Sequence, residues 1–153
     1  MIDLIEKLQK NHSLSLDEYE YLIENRTPEY AEILAEKAVE TRKKIYGNSV
    51  YIRGLIEISN VCKNDCHYCG IRAGNRNCER YRLNKEQILS CCENGHSLGF
   101  RTFVMQGGED GYFNDERMVE IVSSIKSAHP DCAITLSIGE KSRESYQAFF
   151  DAG

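Results

Sequence analysis

The sequence predicts an α/β protein in which a helical segment precedes a parallel sheet. Residues 1–47 keep helical spacing throughout. After Gly47 the period changes, and short β-branched runs alternate with amphipathic helices in the order βαβαβα. Strands joined through helices in this way lie parallel, and their ligands bind in the loops that leave the carboxyl ends of the strands.

Taken in order, Leu4, Ile5 and Leu8 form one short apolar stripe. Ser15 then sits three residues before Glu18, the spacing of a capping box, with Leu14 and Tyr19 placed for a hydrophobic staple. Thr27-Pro28-Glu29 opens a further helix, combining a capping hydroxyl, a proline at the first helical position and an acid near the positive end of the dipole. Arg42, Lys43 and Lys44 fall in its last turn and Gly47 ends it. The boundary predicted here divides a helical segment, 1–47, from an α/β domain, 48–153.

Within the second part, Val50–Ser59 reads as the first strand, followed by a polar loop over Asn60–Asn84. Lys85–Leu98 reads as a helix closed by Gly99, Phe100–Gln106 as the second strand, and Asn114–Ala128 as a helix with Ile121, Val122 and Ile125 inward. Cys132–Ile138 is the third predicted strand and Lys141–Ala152 the helix after it.

Composition narrows the function classes. The net charge is −5, from 19 basic and 24 acidic side chains, which disfavours binding of nucleic acid by a basic surface. No apolar run approaches the roughly 20 residues that span a bilayer, and the acidic start lacks the apolar core of a signal peptide. The chain therefore reads as cytoplasmic, with no membrane partner. Thiols stay reduced in that compartment, so its seven cysteines point to metal or redox chemistry rather than to disulfides.

Three of them, Cys62, Cys66 and Cys69, lie within eight residues in a C-x3-C-x2-C spacing. So tight a loop lets three thiolates converge on one inorganic centre, and iron–sulfur clusters are held by thiolates. Structural zinc is the competing reading, with His67 or Cys78 as fourth ligand, although zinc sites usually split their ligands into two pairs. An iron–sulfur electron carrier is a further alternative, but it would normally supply four cysteines. Cys78, Cys91, Cys92 and Cys132 read as bystanders, the last as a small hydrophobe in a buried strand.

The other two strand ends also stand out. Gln106-Gly107-Gly108-Glu109 follows the second strand, where glycines permit close backbone approach and a carboxylate can accept from an ammonium group. Ser137-Ile138-Gly139-Glu140 ends the third, facing the same side or simply supplying an acid to the next helix. Arg72, Arg76, Arg80 and Arg82 read as a solvated basic loop, with pairing to an anionic substrate or to acids elsewhere as the alternative. Tyr68 reads either as a ligand-stacking ring or as a core tyrosine.

The cysteine spacing at the end of a first strand, with Tyr68 just before the third cysteine and Gly-Gly-Glu after the second strand, resembles the radical S-adenosylmethionine (SAM) superfamily. Arg53–Asn60, Asn64–Arg72, Glu79–Leu83, Gln106–Asp110 and Leu136–Glu140 are similar to its biotin-synthase-like group, and most like the FeFe-hydrogenase maturases of the HydE family; biotin and methylornithine synthases are close alternatives. The resemblance implies the first three βα units of a radical SAM TIM-type barrel. It also implies a 4Fe–4S cluster on Cys62, Cys66 and Cys69, and SAM contacts at Tyr68, Gly107, Gly108, Glu109 and Ser137, with Glu140 a further SAM or substrate contact. Reductive cleavage of SAM to methionine and a 5′-deoxyadenosyl radical, a small-molecule substrate, a one-electron donor such as a ferredoxin or flavodoxin, and hydrogenase maturases as partners follow by the same resemblance. A full barrel takes about 250 residues. These 153 residues are therefore expected to form an incomplete, inactive barrel, with Ile134 and Leu136 lacking partners at an open strand edge.

Overall fold

The computed structural model describes residues 1–153, and the chain divides into two compact units, Met1–Tyr51 and Ile52–Gly153. The first is three helices, α1 (Ile2–Asn11), α2 (Leu16–Glu24) and α3 (Pro28–Tyr46). The caps fall where the side chains dictate. The Ser15 hydroxyl accepts from the Glu18 amide at 3.3 Å and the Glu18 carboxylate accepts from the Ser15 amide at 2.9 Å. Thr27 accepts from the Tyr30 amide, and Gly47 closes α3 at φ 60°, where glycine carries no side-chain penalty. α1 packs on α3, and Ile5, 2% exposed, is the one fully buried hydrophobic side chain of this unit.

The second unit alternates β1 (Gly54–Ser59), α4 (Lys85–Ser97), β2 (Thr102–Gly107), α5 (Asp115–Ala128), β3 (Ala133–Ser137) and α6 (Arg143–Asp151). Its three strands are parallel in the order β1-β2-β3. Asn84, Asn114 and Ser142 cap α4, α5 and α6, each accepting from the amide three residues on. The first strand is shorter than its sequence suggests. Gly54 pairs with Phe103 near the start of β2, and Val50–Arg53 are exposed and outside the ladder despite their β-branched composition.

The sheet is also less enclosed than a run of apolar strands implies. Ile56, Ile58, Phe103 and Met105 are buried against Ile88, Cys92, Met118, Ile121, Val122 and Ile125 of α4 and α5. Residues of the opposite alternation, Leu55, Glu57, Gln106, Thr135 and Ser137, are exposed. Ile134 and Leu136, expected to lack partners, are half-buried and pack against the core from the edge strand. No helix is long and apolar enough to cross a membrane.

Candidate functional site

Parallel register brings the three strand ends side by side, with Ser59 opposite Gly107 and Gln106 opposite Ser137. The loops they launch interlock. The Gly108 amide donates to the Ser59 carbonyl at 3.3 Å, and the Lys63 amide donates to the Glu109 carbonyl at 3.0 Å. A Cβ on Gly108 would stand 2.3 Å from the Val61 carbonyl oxygen and 2.6 Å from the Cys62 Cβ. Gly108 is thus required by contact with the cysteine loop itself, because any larger residue meets backbone there.

Cys62 and Cys69 are half-buried, Cys66 is exposed, and all three are free thiols. A turn closed by the Cys69 amide on the Cys66 carbonyl at 3.0 Å brings the second and third back toward each other. Three unpaired thiols on one loop, against a glycine cradle, form a donor set that fits a thiolate-ligated iron–sulfur cluster. The ligand atoms of His96, Asp131 and Cys132, at the opposite ends of the strands, lie within 4.8 Å of one another. Cys78 is half-buried, with its sulfur 3.6 Å from the Asn60 side-chain nitrogen Nδ2. Cys92 is buried in α4, which pushes its thiol pKa up to about 12 and leaves it inert at neutral pH.

Glu109 reaches back to the cysteine loop. Its carboxylate pairs with the Lys63 ammonium at 3.0 Å and accepts from the Asn64 side-chain amide at 2.9 Å. The hydrogen bond from Lys63 is the main reason its pKa falls below the usual carboxylate value, so it is charged at neutral pH. Gly139 is left-handed at φ 88° and would place a Cβ 2.1 Å from the Glu109 Cγ, so the loop after β3 packs on the same side chain. An ammonium on the Glu109 carboxylate is therefore already present, contributed by the chain's own lysine.

The remaining expected residues are at the rim. Tyr68 is 93% exposed, which rules out the core-tyrosine reading, because it sits in the turn between cysteines with no packing neighbour to cover it. Ser137 and Glu140 are exposed beside Gly139.

The solvated-loop reading of the arginines is corrected for two of the four. Arg82 makes a two-pronged pair with Asp110, at 2.6 and 3.0 Å, and Arg80 donates to four backbone carbonyls. Arg72 pairs with Asp65 at the surface. Asp110 went unrecognised in the sequence. Its carboxylate is 3% exposed and also accepts from the Ser59 hydroxyl at 2.8 Å and the Tyr112 amide at 3.1 Å. Burial raises its pKa, but the bonds from Arg82, Tyr112 and Ser59 outweigh that and hold it below the ordinary value. The available signal was an acid directly after Gly-Gly-Glu combined with an arginine ending the polar loop.

No protein-family model matches the chain. It is 41% identical over 124 residues to the "[FeFe] hydrogenase maturase subunit HydE" of Thermotoga maritima, a match covering 81% of this chain and 35% of that protein. It is 33% identical to the 3-methylornithine synthase of Methanosarcina acetivorans over 80% of this chain and 35% of that enzyme. The chain is a radical SAM homologue. The radical SAM relatives use 4Fe–4S clusters and SAM. The crystal structure of methylornithine synthase superposes with a TM-score of 0.86 at 28% identity, over 98% of this chain and 44% of that one. The radical SAM neighbours are TIM-barrel proteins, and the α/β architecture found here corresponds to part of that barrel. The chain thus spans about a third of the length of these two curated relatives.

Proposed function

We propose that this chain supplies the cluster and SAM-binding portion of a radical SAM enzyme. Cys62, Cys66 and Cys69 hold a 4Fe–4S cluster, and Glu109 binds the amino group of SAM. The observation that carries this reading is the interlock of the two motifs: Gly108 lies against Val61 and Cys62, and Glu109 bonds to Lys63 and Asn64. The chemistry supplied by the bound cluster is one-electron cleavage of SAM to methionine and a 5′-deoxyadenosyl radical.

The chain's own residues set the conditions for that chemistry. Three thiols leave one coordination position of a four-iron cluster without a protein ligand. Glu109, charged at neutral pH, accepts from an ammonium within reach of the cysteine loop. Tyr68, exposed beside Cys69, offers a flat face for stacking an adenine. Gly107, Gly108 and Ser137 flank the same strand ends, and Glu140 lies next to them as a further contact for SAM or substrate.

The finer reading is FeFe-hydrogenase maturation in the cytoplasm of an anaerobic cell. It would involve a small-molecule substrate, a ferredoxin- or flavodoxin-like electron donor and other maturases, and it is supported by the 41% identity to HydE. A biotin- or methylornithine-synthase-like activity is the second reading, favoured by the TM-score of 0.86 to methylornithine synthase.

Anaerobic reconstitution with iron and sulfide, followed by metal analysis, tests the core proposal. Cys62→Ala, Cys66→Ala and Cys69→Ala should each lose most iron, and Cys78→Ala should keep it. Full iron in Cys66→Ala, or one colourless zinc per wild-type chain, would overturn it.

A further inference from the structure

Arg80 is half-buried, yet it faces no carboxylate. Its guanidinium donates instead to the backbone carbonyls of Asn60 at 2.5 Å, Ile71 at 2.8 Å, Arg72 at 2.7 Å and Asn75 at 3.2 Å. Asn60 lies two residues before Cys62, and Ile71 two residues after Cys69. One planar group therefore ties both ends of the cysteine run to a single point. The run is tied there from other directions as well. The Asn60 side chain donates to the Glu79 carbonyl at 2.7 Å and accepts from the Tyr81 amide at 2.8 Å, on either side of Arg80. Ala73 donates to the Asn64 carbonyl at 2.8 Å, and Asp65 accepts from the Gly74 amide at 2.9 Å.

We propose that Arg80 is the positioning residue of the cysteine loop, fixing its two ends and leaving a positive charge on the loop that would hold the cluster. The inference rests on the cluster assignment above and extends it to a residue outside both motifs. Two physical consequences follow. A guanidinium presents several donors in one rigid plane, whereas the lysine ammonium is a point charge and cannot reproduce a four-carbonyl pattern. Because all four acceptors are neutral, the charge is not cancelled by a partner acid. An uncancelled cation favours the reduced, more negative state of a nearby cluster and raises its potential. Fork and charge are thus separable: Arg80→Lys keeps the charge and loses the fork, while Arg80→Gln loses both.

The test compares wild type, Arg80→Lys, Arg80→Gln and, as a surface control, Arg72→Gln. Iron loss to a chelator and the midpoint potential are measured after anaerobic reconstitution, and amide hydrogen exchange is measured on the apo chain. Both Arg80 variants should lose iron about 10–100-fold more readily, the range found when groups supporting metal ligands are removed. Arg80→Gln alone should shift to a more negative potential, with Arg72→Gln like wild type. Amides of residues 60–75 should lose protection in Arg80→Gln while those of β1 and β2 keep it. Wild-type iron retention and potential in Arg80→Gln would overturn the proposal, as would equal loss of protection in the strands, which would make the role fold-wide. If the wild-type chain takes up no cluster, the cluster assignment itself fails. Unchanged protection over residues 60–75 in Arg80→Gln would then separately refute the loop-fixing role.

Discussion

The Glu109 carboxylate faces a cation of its own chain, and this makes its part in the proposed site measurable. Lys63 is largely exposed and reaches Glu109 from the cysteine loop, so an incoming ammonium competes with it for the carboxylate. Removing the lysine removes a competitor: Lys63→Met should bind SAM more tightly than wild type by anaerobic calorimetry on reconstituted protein. Glu109→Ala should bind it about 10–100-fold more weakly without loss of iron, as expected for a lost charge-assisted bond. Unchanged affinity in both variants would remove Glu109 from the site. Asp110 gives a second prediction. Its pKa is lowered on folding, so its stabilising effect is present above the unfolded value of about 3.9 and is lost as pH falls through the lower folded value. Asp110→Asn should be less stable at pH 7, with a shallower loss of stability below pH 4 in urea titrations. Asp110→Ala leaves the Tyr112 amide without its acceptor, while the Ser59 hydroxyl keeps the Tyr81 carbonyl at 3.3 Å, and should cost about 1–3 kcal/mol. Equal pH profiles in Asp110→Asn and wild type would contradict this account of the Arg82 pair.

At the scale of elements, the turns after β1 and β2 fit only because Gly108 has no side chain. Gly108→Ala meets the Val61 carbonyl oxygen, which is backbone and cannot swing aside, so it should destabilise the unit by about 1–3 kcal/mol in chemical denaturation. A neutral result would mean the loops have room that the structure does not show. Helix starts are equally testable: Asn84→Ala removes the cap that accepts from the Gln87 amide and should cost about 1 kcal/mol. Much of this level was legible in the sequence. Caps such as Ser15 with Glu18 and Thr27 with Pro28 are local, and their spacing is their mechanism. The order of strands and helices was legible for the same reason. The start of β1 was not, because Val50–Arg53 have strand composition but no partner, and pairing is a property of two segments. The cysteines and Gly-Gly-Glu showed themselves as motifs, whereas Arg80 did not. Its acceptors are backbone carbonyls, which any residue carries, so no side-chain pattern announces them. The Lys63–Glu109 pair likewise depends on two loops meeting across a parallel register.

For the molecule as a whole, parallel topology places every strand's carboxyl end at one edge, and all three unusual loops leave from that edge. The apolar face is spent on α4 and α5, while Glu57, Gln106 and Ser137 form a polar row across the other face, directly below those loops. Chemistry at the loops would thus look onto polar side chains rather than onto the core. The opposite ends of the strands carry His96, Asp131 and Arg101 in mutual contact, with His129 stacked on His96; these tie the bottom of the sheet to α4. The central claim is that the cysteine loop and Glu109 form one site for a cluster and SAM. The most direct measurement is the EPR spectrum of the reduced, anaerobically reconstituted protein before and after SAM is added, in wild type and in Glu109→Ala. The account predicts a four-iron signal in both proteins. At one intermediate SAM concentration, that signal should change in wild type and stay unchanged in the variant. A signal indifferent to SAM in wild type, or equally responsive in Glu109→Ala, would contradict it.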